Sequence, residues 1–182
     1  QALSHQLIYN YGFSSKSLDI SLIRDWWSIT YLIKNNQEGL ADSYILKLYD
    51  PAVRSYELIK SQVLWLNELR RNAHLCVPEV VININASYIA EVAISNKNTT
   101  YYGIMCKVLP GKPIQVPNKI TYQKMGFFIG KLHAYAESFL PNTGFVAKHW
   151  DYDGIISVGG LTSVNEYADR AQLSIIERSI LT

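Results

Sequence analysis

Few residues of this 182-residue chain could do chemistry, and Lys47 is the one whose surroundings ask for an explanation. It stands in Tyr44-Ile45-Leu46-Lys47-Leu48, with apolar neighbours on both sides. An ammonium so placed has to reach water or meet a negative charge, because burying it unpaired is costly. Phosphate binding is one chemistry that fits; an edge-strand lysine that only aids solubility fits as well. Other candidates are plainer. Cys76 and Cys106 each lie in an apolar segment without a partner nearby, so neither a disulfide nor a zinc site follows from them. His133 at a helix end reads as a packing histidine, and His5 and His74 have no partner in view. Arg70-Arg71 closes a helical stretch, where cations complement the dipole and cap carbonyls.

Composition narrows the classes. A hydrophobic fraction of 48% and a charged fraction of 18% are those of a soluble globular chain. A formal charge of +2 is too small for a nucleic-acid footprint. The thirteen tyrosines are scattered as core and rim, not arranged as a stacking platform. No apolar run approaches the ~20 residues that span a bilayer, and no signal-peptide pattern opens the chain. A cytoplasmic protein with reduced thiols is expected, with no membrane or nucleic-acid partner.

The elements that must position Lys47 follow from periodicity. Residues 2–11 read as a short helix closed by Gly12. Residues 18–24 (LDISLIR) alternate as a half-buried strand, and 26–34 (WWSITYLIK) form its β-branched and aromatic partner. A turn at 35–39 leads to a third strand at 42–49; three strands on short links make an antiparallel meander. Ile59, Val63, Leu66 and Leu69 then recur at helical spacing over 55–71, with Ser55 as N-cap and Pro78 beyond the end. Strands are expected at 79–85, 88–94 and 101–109, with a hairpin tip at 95–100. After Pro110-Gly111, Pro113 and Pro117 the pattern turns helical. Residues 120–139 carry Met125, Phe128, Ile129, Leu132, Tyr135, Ala136 and Phe139 on one side, and a last helix is expected over 162–181. The fold class is α+β: a sheet-and-helix lobe over 1–109, a linker over 110–118 and a partial helical lobe over 119–182.

This order of elements is that of a kinase amino-terminal lobe and hinge, in which the third strand carries a lysine aimed at the α- and β-phosphates of ATP. Five segments resemble the aminoglycoside phosphotransferase and choline kinase relatives. They are the lysine strand 44–49; Ser61 to Arg71 followed by Val77-Pro78-Glu79-Val80; Val108-Leu109-Pro110-Gly111; Gly126 through Lys131-Leu132-His133; and Gly144-Phe145 with Trp150-Asp151. The resemblance implies that Lys47 contacts the phosphates of ATP, bound with Mg²⁺. It implies that Met105 lines the back of the adenine pocket, and that the backbone of Cys106, Lys107 and Val108 hydrogen-bonds the adenine from an edge strand. The acceptor would be a small hydroxylated molecule.

Three departures from that pattern stand out. The helix glutamate that pairs with the strand lysine falls on Ile59; Gln62, one turn later on that face, is neutral, and Glu57 lies about 200° around the helix. The turn Arg24-Asp25-Trp26-Trp27-Ser28 has no glycine to let backbone amides approach phosphate, leaving Ser28 as a single donor. The H-G-D-x-x-x-x-N segment and the later metal-binding aspartate are missing: His149-Trp150-Asp151 lacks the asparagine, and Asp153-Gly154 follows too closely. The expectation is therefore the front half of an ATP-dependent small-molecule phosphotransferase, without its catalytic loop and inactive alone. The alternative is a degenerate kinase-like binding or regulatory module. An incomplete lobe would leave apolar helix surface exposed, through which a homodimer could form.

Overall fold

The computed structural model describes residues 2–13, 18–25, 28–36, 42–94, 99–112, 114–141 and 143–147. The chain divides into compact units of residues 1–145 and 146–182, and the first holds all the helices and strands described. Its elements are α1 (Ala2–Tyr9), β1 (Leu18–Asp25), β2 (Ile29–Asn35), β3 (Ser43–Tyr49), α2 (Tyr56–Arg71), β4 (Ile89–Ile94), β5 (Thr99–Lys107) and α3 (Lys119–Ser138). The five strands form one antiparallel sheet in the order β1-β2-β3-β5-β4. The stretch 110–118, expected as a linker, runs between β5 and α3 within this unit.

The sheet has two unlike faces, because successive strand side chains point to opposite sides. One face carries Ile33, Tyr44, Leu46, Leu48, Ala90, Val92 and Met105 and is covered by Leu7, Ile8 and Tyr11 from α1 and the turn after it. Gly12 ends that turn at φ +76°, a conformation glycine adopts without strain. Gly103 lets α1 approach: a Cβ there would stand 2.8 Å from Leu7 Cδ2. The Tyr11 hydroxyl fixes the same junction, lying 3.2 Å from the carbonyls of both Tyr88 and Gly103.

The other face is covered by α2 over β3, β5 and β4. Ser55 caps this helix in extended conformation, its Oγ accepting from Leu58 N–H at 3.3 Å. Ile59 and Val63 pack there with Tyr49, Val80, Ile89, Ile104 and Cys106. The Arg70 and Arg71 head groups do not cap helix carbonyls as expected. Arg70 meets Glu79 at 2.9 Å, and Arg71 donates to Tyr88 Oη at 3.2 Å.

The strand expected at 79–85 does not form. Val80 alone bridges to Cys106, with Val81 N–H bonded to Met105 O and Lys107 N–H to Glu79 O. Asn83 ends the pairing: its side-chain oxygen accepts from Asn85 N–H and Ser87 N–H, and Ala86 turns at φ +58°. Helix α3 joins α2 only at its carboxyl end. Leu132 and Tyr135 pack beside Leu69, Leu75 and Val77, Tyr135 Oη donates to Glu68 at 2.9 Å, and Trp65 lies 4.9 Å from the Phe139 ring. The other half of the expected stripe, Met125, Phe128 and Ile129, is exposed beside a cavity of about 550 Å³. Among the described residues no helix is long and apolar enough to cross a membrane.

Candidate functional site

Lys47 is half-buried at a boundary on the α2 face. In the ladder it lies opposite Ile104 of β5 on one side and opposite Thr30 of β2 on the other. Ile104 continues to Ile89 of β4, and Thr30 continues to Arg24 of β1. Residues directly paired across an antiparallel ladder share a face, so one row crosses the sheet as Arg24, Thr30, Lys47, Ile104 and Ile89. Its Ile104 and Ile89 half is buried with α2; its Arg24 and Thr30 half is not in that core. Lys47 therefore marks the edge between a dry core and an open polar strip. Ser28, half-buried at the start of β2, places its hydroxyl 3.5 Å from that of Thr30 and so joins the strip.

No carboxylate among the described residues comes within ion-pair distance of Lys47. Ile59, the position expected to correspond to the kinase glutamate, is fully buried in the apolar cluster. Gln62 is engaged elsewhere, accepting from the Tyr49 hydroxyl at 3.5 Å. Burial pushes the Tyr49 phenol above its ordinary range, with the Arg54 cation and the Gln62 bond pulling the other way. Glu57 is exposed in the first turn of α2. The residues that sequence reasoning missed are Arg24 and Thr30, which become visible only once the register is known.

At the β5 end two expectations need correction. Met105 does not share the lysine face: it pairs with Leu46 and is fully buried in the cluster beneath α1. Cys106, one residue on, does share it and is buried beside Val80 and Ile104. Burial pushes the Cys106 thiol up to about 11, partly countered by the Lys47 charge. The second correction concerns the backbone. β5 is an interior strand, not an edge, and the Lys107 and Val108 amides are occupied, bonded at 2.9 Å each to Glu79 O and Ser43 O. The next amide, that of Leu109, has no partner among the described residues. The Lys107 ammonium turns outward to Glu79 at 3.3 Å.

The fold matches solved structures. The chain is similar to a microcompartment-associated aminopropanol kinase, with a TM-score of 0.69 and 19% identity over 84% of this chain and 45% of that one. It is similar also to amicoumacin kinase hAmiN, solved in complex with AMP-PNP, Ca²⁺ and Ami, with a TM-score of 0.73 and 14% identity over 91% of this chain and 48% of that one. The fold is that of aminoglycoside phosphotransferase-like kinases. At these identities the likeness is one of fold, and this chain spans less than half the length of either structure. No family model and no curated protein matches the sequence.

Several expectations fall outside the described residues: Trp26 and Trp27 in the glycine-free turn, the His149-Trp150-Asp151 and Asp153-Gly154 segments, and the helix at 162–181. Gly144 and Phe145 are described; Gly144 turns at φ +92°, and the Phe145 ring lies 5.5 Å from that of Phe139. Among the described residues no group of three His, Cys, Asp or Glu could hold a metal ion.

Proposed function

We propose that this chain forms the nucleotide-binding part of an ATP-dependent phosphotransferase that acts on a hydroxyl of a small molecule. The observation that carries the reading is the position of Lys47, half-buried at the margin of the α2-covered core and facing an open polar strip. A lysine there can meet phosphate oxygens without being stranded in an apolar interior, and phosphate oxygens supply the negative charge it lacks. The adenine would lie against Cys106, on the same face, and take a hydrogen bond from the Leu109 amide. Mg²⁺ would accompany the phosphates, as a divalent ion accompanies AMP-PNP in the amicoumacin kinase structure.

In this reading the chain by itself does not transfer phosphate, because the sequence has no H-G-D-x-x-x-x-N segment to supply the base and metal ligands. The lobe division at 110–118 and a cytoplasmic setting belong to the same proposal, as does a homodimer through the exposed apolar residues of α3. A second reading, a kinase-like binding module without catalysis, draws on Ile59: with an apolar residue in the glutamate's place, Lys47 has no fixed anchor. Titrating the chain calorimetrically with AMP-PNP and Mg²⁺, and assaying ADP release from MgATP, tests the proposal. Saturable AMP-PNP binding without ADP release supports it. ADP release by the purified chain contradicts the inactive-alone part, and absence of binding contradicts the nucleotide site.

A further inference from the structure

We propose that Arg24 is a second phosphate-binding residue, gripping with Lys47 the polyphosphate of a nucleotide laid across Thr30; this rests on the nucleotide reading above. A β-bulge supplies the first argument. Leu18, Ile20 and Leu22 alternate along β1, and Leu22 pairs with Tyr31, so strict alternation would place Arg24 on the α1 face with them. The register instead shifts between Leu22 and Arg24, setting Arg24 opposite Thr30. One extra residue reverses the side to which a strand residue points, and bulges recur where a site needs a side chain re-aimed. Here it turns a cation out of the apolar series and onto the lysine face.

Among the described residues of this face, Lys34 stands four residues along β2 from Thr30, so Arg24 is the cation paired nearest to Thr30 besides Lys47. Arg24 to Ser28 contains no glycine, the residue that lets backbone amides approach phosphate closely in a glycine-rich loop. Lys47 alone sets one charge against a polyanion. Adjacent strands lie ~4.8 Å apart, which puts the Arg24 and Lys47 backbones about 10 Å from each other with Thr30 between. Both side chains have stems long enough to converge on a single polyphosphate chain. The guanidinium fork matches phosphate oxygens bidentately, while the ammonium acts as a point charge.

Arg24 is exposed and has no hydrogen-bond or ion-pair partner among the described residues. Its neighbour Asp25 pairs with Ile29 on the α1 side. The β1 carboxylate on the lysine face, Asp19, stands at the far end of the strand opposite Lys34. The strip thus holds two cations, Arg24 and Lys47, and two hydroxyls, Thr30 and Ser28.

The test compares ATP, ADP and AMP binding by calorimetry to the wild-type chain, Arg24→Gln, Arg24→Lys and Lys47→Ala. Arg24→Gln is expected to weaken ATP about tenfold, to weaken ADP less, and to leave AMP and the melting temperature unchanged; Arg24→Lys should recover part of the loss. If Lys47→Ala abolishes ATP binding while Arg24→Gln binds like the wild type, the Arg24 assignment is wrong and the nucleotide site stands. Equal weakening of ATP and AMP also overturns the assignment. If the wild-type chain binds no ATP, the nucleotide reading itself fails, and this inference with it.

Discussion

Arg24 and Lys47 stand two strands apart on one face of the sheet, with Thr30 between them in the ladder. The row they define continues into a core sealed by α2, where Ile104 and Ile89 lie buried with Ile59. Half of that face is thus a hydrophobic seam and half an open cationic strip, and Lys47 sits where they meet. The open half sets Arg24 and Lys47 where the polyphosphate of the proposed nucleotide would lie.

Replacing Ile59 by glutamate asks whether this helix position faces the lysine. A carboxylate in an apolar core costs about 3–5 kcal/mol when left unpaired. Val63 lies in the same cluster as Ile59 and one turn further along α2. If Ile59 occupies the place of the kinase glutamate, Ile59→Glu is expected to lose clearly less stability than Val63→Glu, because Lys47 can pair with it. Urea denaturation of the two variants, each with and without Lys47→Ala, measures the difference. Equal losses that ignore Lys47 would mean that the two positions do not meet.

The two thiols should react differently. Cys76 is exposed, whereas Cys106 is buried with its thiol pushed up to about 11. Iodoacetamide near pH 8 is expected to label Cys76 and spare Cys106 in the folded chain, because the thiolate is the nucleophile. The linkage has a definite sign. A thiol pKa raised from 9.0 to about 11 on folding favours the folded state below pH ~9, and that contribution is lost as pH rises toward the folded value. Stability should therefore fall across that interval, and less steeply in Cys106→Ala. Mass spectrometry of labelled peptides and a pH series of melts read both effects.

Gly103 provides a packing test far from the charged strip. A methyl group there would meet Leu7 Cδ2 at 2.8 Å and Cδ1 at 3.1 Å, and Leu7 is fully buried. Gly103→Ala is expected to cost about 1–3 kcal/mol through overpacking. The same change in a Leu7→Ala background should cost much less, since the clashing branches are gone. Thermal melts of the four variants close the cycle, and additive losses would place the strain elsewhere.

Much of this architecture was legible from residue types. Alternation gave β1, β-branched and aromatic residues gave its partner β2, helical spacing with Ser55 gave α2, and the apolar flanks of Lys47 singled it out before any geometry was known. The misses share one physical cause: side-chain direction in a strand reverses with every residue, so a single-residue offset changes the face. Met105 and Cys106 are neighbours, yet only the second shares the lysine face. Arg24 was hidden by the bulge before it, which no composition rule marks. The β-branched run Val80-Val81-Ile82 with Ile84 reads as a strand, but Asn83 captures nearby backbone amides and turns the chain. The β5 amides looked free because strand order is not written in the sequence; in the sheet β5 lies between β3 and β4.

The most direct test of the central claim is a thermal-shift titration with ATP, with and without Mg²⁺, on the wild-type chain and on Lys47→Ala. A ligand at a hundred times its Kd adds about 2.7 kcal/mol to stability, and for a domain of this size each kcal/mol raises Tm by roughly 2–4 °C. A saturable rise of several degrees is expected in the wild type, and Lys47→Ala is expected to abolish it. A rise that survives Lys47→Ala would put the nucleotide elsewhere, and no rise at millimolar ATP would contradict a nucleotide site in this chain.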